Sequence, residues 1–350
     1  MNRERFEHLA DKMVDGKAVF SAVMKAESGD GALSWISAAG GMESDSRYFI
    51  ASVTKLYMTA IIMKYIEEGR LALEQKISDH LAEEYCRGLH LFRGVDYSAD
   101  LTIYHLITNT SGIPDYFFHK QDNGRTVADE LMEGKDEPWP PERTIELIRQ
   151  LKPKFAPGTR GKAAYSDSNY QLLGKILERV AGKSIEDIFQ EVIFLPLGLT
   201  NSYIYSDVGD ETPVPFYYGE HKLWLPRYLA SIGPEGGVVS TADEVMIFLK
   251  EFFAGRFFPK EKIEQLKRWN MIYPPPGLFM FGVGLEKLWI PKILMPFNHP
   301  GEILGFWGQT GSFAFYNPGK DIYLCGTTNQ INGKGHRKAT SAMLKVIKGV

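Results

Sequence analysis

The chain has 350 residues, 44% of them hydrophobic and 24% charged, with a formal net charge of −3. That length supports a large core in a soluble globular protein, and the lack of a basic cluster argues against nucleic acid as a partner. No apolar run reaches membrane-spanning length.

Met1-Asn2-Arg3-Glu4-Arg5-Phe6-Glu7-His8 opens directly as a charged amphipathic segment, without the apolar run or cleavage site of a signal peptide. A cytoplasmic protein with no membrane anchor is therefore expected. Cys86 and Cys325 stand far apart and suit buried free thiols of a reducing compartment rather than a disulfide framework. The histidines are scattered without paired ligand spacing, and no phosphate-cradling glycine loop occurs. Neither a metal nor a cofactor is expected.

Residues 4–15 carry Phe6, Leu9, Met13 and Val14 on one face of a first helix. Residues 18–24 and 33–38 then read as a hairpin around the Glu27-Ser28-Gly29-Asp30-Gly31 turn. A short strand, Phe49-Ile50-Ala51, feeds Ser52-Val53-Thr54-Lys55 and an apolar helix. The S-x-x-K spacing puts Ser52 and Lys55 one turn apart on one face of the helix start. There the macrodipole and unpaired N–H groups favour an alkoxide and disfavour a protonated amine. A desolvated lysine at that place can activate the serine, although the tetrapeptide alone suits an N-cap serine and a solvated lysine at least as well. From Val53 to Met63 the helix is apolar nearly all round and reads as buried, so a lysine at its mouth needs a partner or a purpose.

Residues 101–108 form a short helix running into Asn109-Thr110-Ser111-Gly112-Ile113-Pro114, and residues 120–141 look like a surface excursion able to border a cleft. Pro157-Gly158 and Gly161-Lys162 mark an irregular loop before an amphipathic helix from Tyr170 to Gly182. Tyr165 lies just ahead of that helix, and a tyrosine beside a lysine ammonium can act as general base and acid. Residues 233–243 form a glycine-rich turn and a Ser/Thr cap before a helix over 244–253. Residues 305–313 form a glycine-punctuated strand of the kind a ligand can approach closely. Strands over 311–316 and 321–328, and a last helix over 336–348, mirror the start of the chain. The pattern predicts an α+β fold: one antiparallel sheet built from both chain ends and flanked by the terminal helices, with a mostly helical subdomain in the middle. A single domain is expected, residues 1–70 and 231–350 forming the sheet part and 71–230 the helical part.

Ser52-Val53-Thr54-Lys55, Tyr165-Ser166-Asp167 and residues 305–313 follow the order used by serine hydrolases of the β-lactamase and penicillin-binding-protein superfamily. The chain most resembles its class C β-lactamase branch, with the family VIII carboxylesterases and D-stereospecific peptidases. The likeness runs nearly end to end. Residues 106–114 are similar to the family's LLTHTSGLP loop, 157–174 to its PG…YSN…LLG segment, 236–243 to its GGLVSTAxD and 308–329 to its final hairpin. The resemblance implies an acyl-enzyme on Ser52, with Lys55 as proton acceptor or electrostatic partner and Tyr165 shuttling the proton. It also implies an oxyanion hole made by the backbone N–H groups of Ser52 and Gln309, and no metal or organic cofactor.

Departures from the family pattern bear on substrate. Asp167 replaces the usual asparagine; an ionised aspartate only accepts hydrogen bonds, so it should hold Lys55 tightly and not bind an acylamido carbonyl. Phe306-Trp307-Gly308 fills the K-T-G or H-x-G slot without the cation that commonly engages a substrate carboxylate. Asp167, Phe306, Trp307 and Gly308 are the expected substrate-binding residues, and Asn109, in place of a histidine, reads as a structural change. These features point away from anionic β-lactams and toward short or medium acyl esters. Phe216, Tyr217, Tyr218 and the aromatics between Trp269 and Trp307 are candidates for an acyl pocket, although most such residues are core by default. A D-amino-acid peptidase or amidase, with Asp167 taking the free amine, is one alternative. Another is penicillin-binding or β-lactamase activity with a cation from Arg160 or His299. The last, a non-catalytic binding protein of the same fold, is opposed by the presence of Ser52, Lys55 and Tyr165 together. The expected partner is a small ester, amide or lactam.

Overall fold

The computed structural model describes residues 2–272, 279–331 and 333–350. Its strands are β1 (Ala22–Ser28), β2 (Ser34–Ala39), β3 (Asn270–Met271), β4 (Phe279–Phe281), β5 (Glu286–Leu288), β6 (Leu304–Trp307), β7 (Ser312–Asn317) and β8 (Ile322–Thr327). Among the described residues they form one antiparallel sheet in the order β3-β4-β5-β6-β7-β8-β1-β2. The two ends of the chain meet in the β1–β8 pair, from Val23 opposite Thr327 to Ser28 opposite Ile322.

The helices that matter for the site and its support are α1 (Arg3–Glu7), α2 (Leu9–Met13), α3 (Thr54–Glu67), α4 (Asp167–Ala181), α5 (Ala242–Ala254) and α6 (Gly333–Gly349). Strand alternation sorts side chains between two layers. Met24, Ala26, Phe313, Phe315 and Leu324 pack against Phe6, Leu9, Met13, Met343 and Val346 of the terminal helices. Val23, Phe306, Ala314 and Cys325 face the other way, into the large core that holds α3 and α5. Both terminal helices thus cover one sheet face, as the sequence pattern predicts.

Several predicted boundaries shift: the strand expected over 305–313 is β6 and β7 joined by a turn, and α4 begins at Asp167 instead of Tyr170. Two further shifts have a clear local cause. The first helix is broken at His8, because the Ser37 hydroxyl on β2 donates to Glu7 O (2.6 Å) and accepts from the Ala10 N–H (3.0 Å). The first strand starts at Ala22 instead of residue 18, since Asp15 Oδ1 accepts from the N–H groups of Lys17, Ala18 and Val19 and ties that stretch into a turn. Cys86 and Cys325 are buried free thiols. Among the described residues no helix is long and apolar enough to cross a membrane, and no cluster of ligands fit for a metal occurs.

Candidate active site

Ser52 is set by a clamp on the residues before it. A small sheet pairs Tyr48–Phe49 with Val238–Ser240, and the Ile50 N–H continues it to Val238 O (3.0 Å). From the other side, Thr310 donates to Phe49 O (2.9 Å) and Ser312 to Ile50 O (2.5 Å). Ala51 then turns the chain with φ +47°, a left-handed conformation costing a non-glycine residue about 1–2 kcal/mol. The turn Ala51–Val53 runs directly into α3 and leaves Ser52 half-buried at its mouth. Gly308 is required beside it: a Cβ there would strike Ser312 Oγ and Ile50 O.

Lys55 has no exposed surface. Its Nζ lies 3.0 Å from Ser52 Oγ, 2.5 Å from the Glu235 carbonyl oxygen and 2.7 Å from Asp167 Oδ1. The first two contacts are hydrogen bonds donated by Lys55, and the third is an ion-pair contact. The Tyr165 hydroxyl donates to Ser52 Oγ at 3.0 Å, and its ring stands 5.3 Å from Lys55 Nζ. Ser52 Oγ therefore has two hydrogen-bonding groups through which a proton can leave or return.

The loop before α4 carries Tyr165 and leads into Asp167, the first residue of the helix, and this stretch is stitched to residues 109–115. Asn109, at φ +57° and fully buried, accepts at Oδ1 from the Ser166 N–H (3.2 Å) and from Asn169 Nδ2 (2.9 Å). The Asn109 carbonyl accepts the Ala164 N–H (2.9 Å). Ser166 and Ser168 both donate to Pro114 O, and Asp115 Oδ1 accepts the Asp167 N–H. Asparagine at 109 is thus structural, as expected: it tolerates the left-handed backbone while feeding two donors.

Residues 10–347 match the Beta-lactamase family. The chain belongs to that family. It is similar to the D-alanyl-D-alanine-carboxypeptidase/endopeptidase AmpH of Escherichia coli K12, with 27% identity over 245 residues that cover 69% of this chain and 57% of AmpH. It is also similar to penicillin-binding protein 4 of Amycolatopsis lactamdurans, with 28% identity covering 59% of this chain and 51% of that protein. The chain spans about half the length of the curated relatives it matches. In fold it is similar to a D-stereospecific amidohydrolase from Streptomyces sp. (TM-score 0.80, 21% identity, 98% of each chain). The hydrolase EstCE1 gives a TM-score of 0.79 at 21% identity, covering 97% of this chain and 98% of that one. The D-amino acid amidase of Ochrobactrum anthropi SV3 gives 0.77 at 18% identity, covering 99% and 100%.

In this member of the Beta-lactamase family, Ser52, Asp167 and Gln309 line one narrow cavity of about 60 Å³ together with Phe49, Phe216 and Tyr228. Two residues expected at the substrate lie elsewhere. Phe306 is fully buried under Phe281, which itself packs on Tyr165. Trp307, its neighbour in β6, points to the opposite sheet face and packs on Phe313, Phe315 and His336. Successive strand residues face opposite ways, which corrects the reading of Phe306 and Trp307 as substrate contacts. Of the aromatic candidates, Phe216 lines the cavity, whereas Tyr217 stacks on Phe20 and Tyr218 is exposed. Residues 273–278, part of the 269–307 stretch, fall outside the described residues. Neither Arg160 nor His299 is among the cavity's described lining, and the His299 ring is held by Ile290 O and the Gly301 N–H.

Three buried carboxyls around Lys55 were not anticipated. Burial, and then the charge of Asp167, push Asp115 up to about 7. Burial pushes Glu286 up to about 8; its Oε2 accepts the Trp307 N–H at 2.8 Å. Burial, then Asp167, raise Glu235 well above the carboxylate range. The one hint in the sequence was a charged residue within the small-residue turn Gly233-Pro234-Glu235-Gly236-Gly237.

Proposed function

We propose that this protein hydrolyses esters of short acyl groups through an acyl-enzyme on Ser52. The observation that carries the reading is the cavity at Ser52: its walls include Phe49, Phe117, Phe216, Leu225 and Ile232, and its described lining holds no lysine or arginine. A carboxylate-bearing acyl group has nothing there to neutralise it. At about 60 Å³ the cavity is well under the ~150 Å³ that admits benzene, so short aliphatic chains suit it. Ser52 Oγ attacks the ester carbonyl, and its proton passes by way of Tyr165 to the leaving alcohol while Lys55 steadies the developing charge. The backbone N–H groups of Ser52 and Gln309 take the oxyanion. Water then repeats the sequence on the acyl-enzyme.

The test compares p-nitrophenyl acetate, butanoate and octanoate with a chromogenic cephalosporin. Turnover should be highest at two to four carbons and poor on the lactam, and Ser52→Ala should lower ester kcat by about 10³-fold or more. Ester hydrolysis that survives in Ser52→Ala, or fast lactam turnover, would refute the reading. One observation favours a second reading, the peptidase activity named for AmpH. A wider groove of about 750 Å³ beside Tyr165 is bordered by Lys120 and Lys154, cations able to meet a terminal carboxylate. In that case Lys154→Ala should lower the rate on a D-alanyl-D-alanine peptide relative to the rate on an ester.

A further inference from the structure

The cavity beside Ser52 is largely apolar, with Ser52, Asp167, Gln309 and Thr310 among its polar lining. Glu235, 2% exposed, is a further acidic part of that lining. The Glu235 backbone carbonyl is what accepts from Lys55 Nζ; the side chain does something else. Glu235 Oε1 accepts a hydrogen bond from the Tyr116 hydroxyl, and the Tyr228 hydroxyl lies 3.4 Å from that of Tyr116. Glu235 Oε2 is buried with no hydrogen-bond partner among the described residues. A buried polar atom left unpaired costs about 1–3 kcal/mol, so this oxygen is a standing feature that a ligand could relieve.

Resting on the ester-hydrolase reading above, we infer that Glu235 is a specificity-determining residue. As a neutral carboxylic acid in the cavity wall it donates a hydrogen bond from Oε2 to an acyl group that seats against it, and so selects acyl groups that carry an oxygen acceptor in the chain over plain alkyl groups of the same size. The protonation needed is the one the surroundings enforce. Burial disfavours a second uncompensated anion beside Asp167, with Asp115 close by, and Lys55 only partly offsets this. With Tyr116 donating to Oε1, the proton has its place on Oε2, which makes Oε2 a donor. A buried acid kept neutral in order to donate is a known device for recognising oxygen. Tyr116 and Tyr228, both buried, fix the carboxyl's orientation as positioning residues.

The experiment uses an isosteric pair, p-nitrophenyl methoxyacetate and p-nitrophenyl butanoate, each kcat/KM divided by that ester's hydroxide-catalysed rate. The native protein should favour the ether by about tenfold, as expected for one added hydrogen bond. The preference should fall to near one in Glu235→Leu and return in Glu235→Gln, whose amide keeps a donor at that position. The ratio is internal, so a general loss of activity or of folded protein does not move it. A native ratio near one, or a ratio unchanged in Glu235→Leu, overturns the inference while leaving the ester reading intact. If neither ester is turned over through Ser52, the ester reading fails. The inference is then read from binding of methoxymethylboronic against propylboronic acid, measured by thermal shift, where the same preference, and its loss in Glu235→Leu, are required.

Discussion

Glu286 is a carboxyl placed where charge is expensive. It is buried on β5, and the only described hydrogen bond of its carboxyl is from the Trp307 N–H. Its pKa rises from an ordinary 4.5 to about 8. Between those values the unfolded chain has released this proton while the folded protein still holds it, so stability falls as pH rises. The contribution is intact below about pH 4.5 and is lost on the way through pH 8, with a limiting slope of about 1.4 kcal/mol per pH unit. Glu286→Gln keeps the acceptor for Trp307 and removes the titration. Its melting temperature should exceed that of the native protein by an amount that grows from pH 5 to pH 8; a constant difference across that range would contradict the assignment. Carboxyls of this type were barely legible in the sequence. Asp115 and Glu286 are each a lone acid among ordinary neighbours, Glu235 alone stands out within its glycine turn, and only the fold gathers them about Lys55 and Asp167.

At the scale of elements, the site depends on two loops bound to each other before either touches a substrate. Asn109 contributes a left-handed backbone and three hydrogen bonds to residues 164–169. Asn109→Ala removes the side-chain acceptor from two buried donors and keeps a strained φ, a loss of about 3 kcal/mol in denaturant unfolding. Because Tyr165 and Asp167 sit on the released loop, kcat in the surviving folded protein should fall by at least tenfold, since small displacements of reacting groups are costly. The S-x-x-K spacing and the family resemblance together singled out Ser52, Lys55, Tyr165 and Asp167, which the fold brings side by side. Neither reached the direction of Phe306 and Trp307. Strand parity alone allowed at most one of the two to face Ser52, and a pair of adjacent aromatics does not say which.

For the molecule as a whole, the two-layer arrangement separates support from chemistry. Met343 on α6 is fully buried against the sheet face turned away from Ser52. Met343→Ala should cost about 2–5 kcal/mol of stability and leave ester kcat within about twofold at a temperature where the variant remains folded. A large loss of kcat there would mean that the sheet transmits packing changes to the site. The sheet's composition from both chain ends was readable in advance, because helix–hairpin and hairpin–helix blocks mirror each other. The edge β3–β4–β5 was misread: the pattern of residues 281–285 suggests one strand, but 282–285 link β4 to β5, and strands of two or three residues each give almost no periodic signal.

The pairing of Val23 with Thr327 also has a consequence for synthesis. The β1–β2 hairpin leaves the ribosome about 280 residues before its other neighbour exists, a separation that makes closure slow. Until then β1 offers an open edge to other chains, so the nascent protein depends on being shielded by a chaperone or by its own helical middle. The turn that carries Gln309, whose strand must stack beside β8, cannot be fixed against Ser52 any earlier. A chain stalled near residue 300 should therefore fail to react with a serine-directed probe, and reactivity should emerge only after β8 is released.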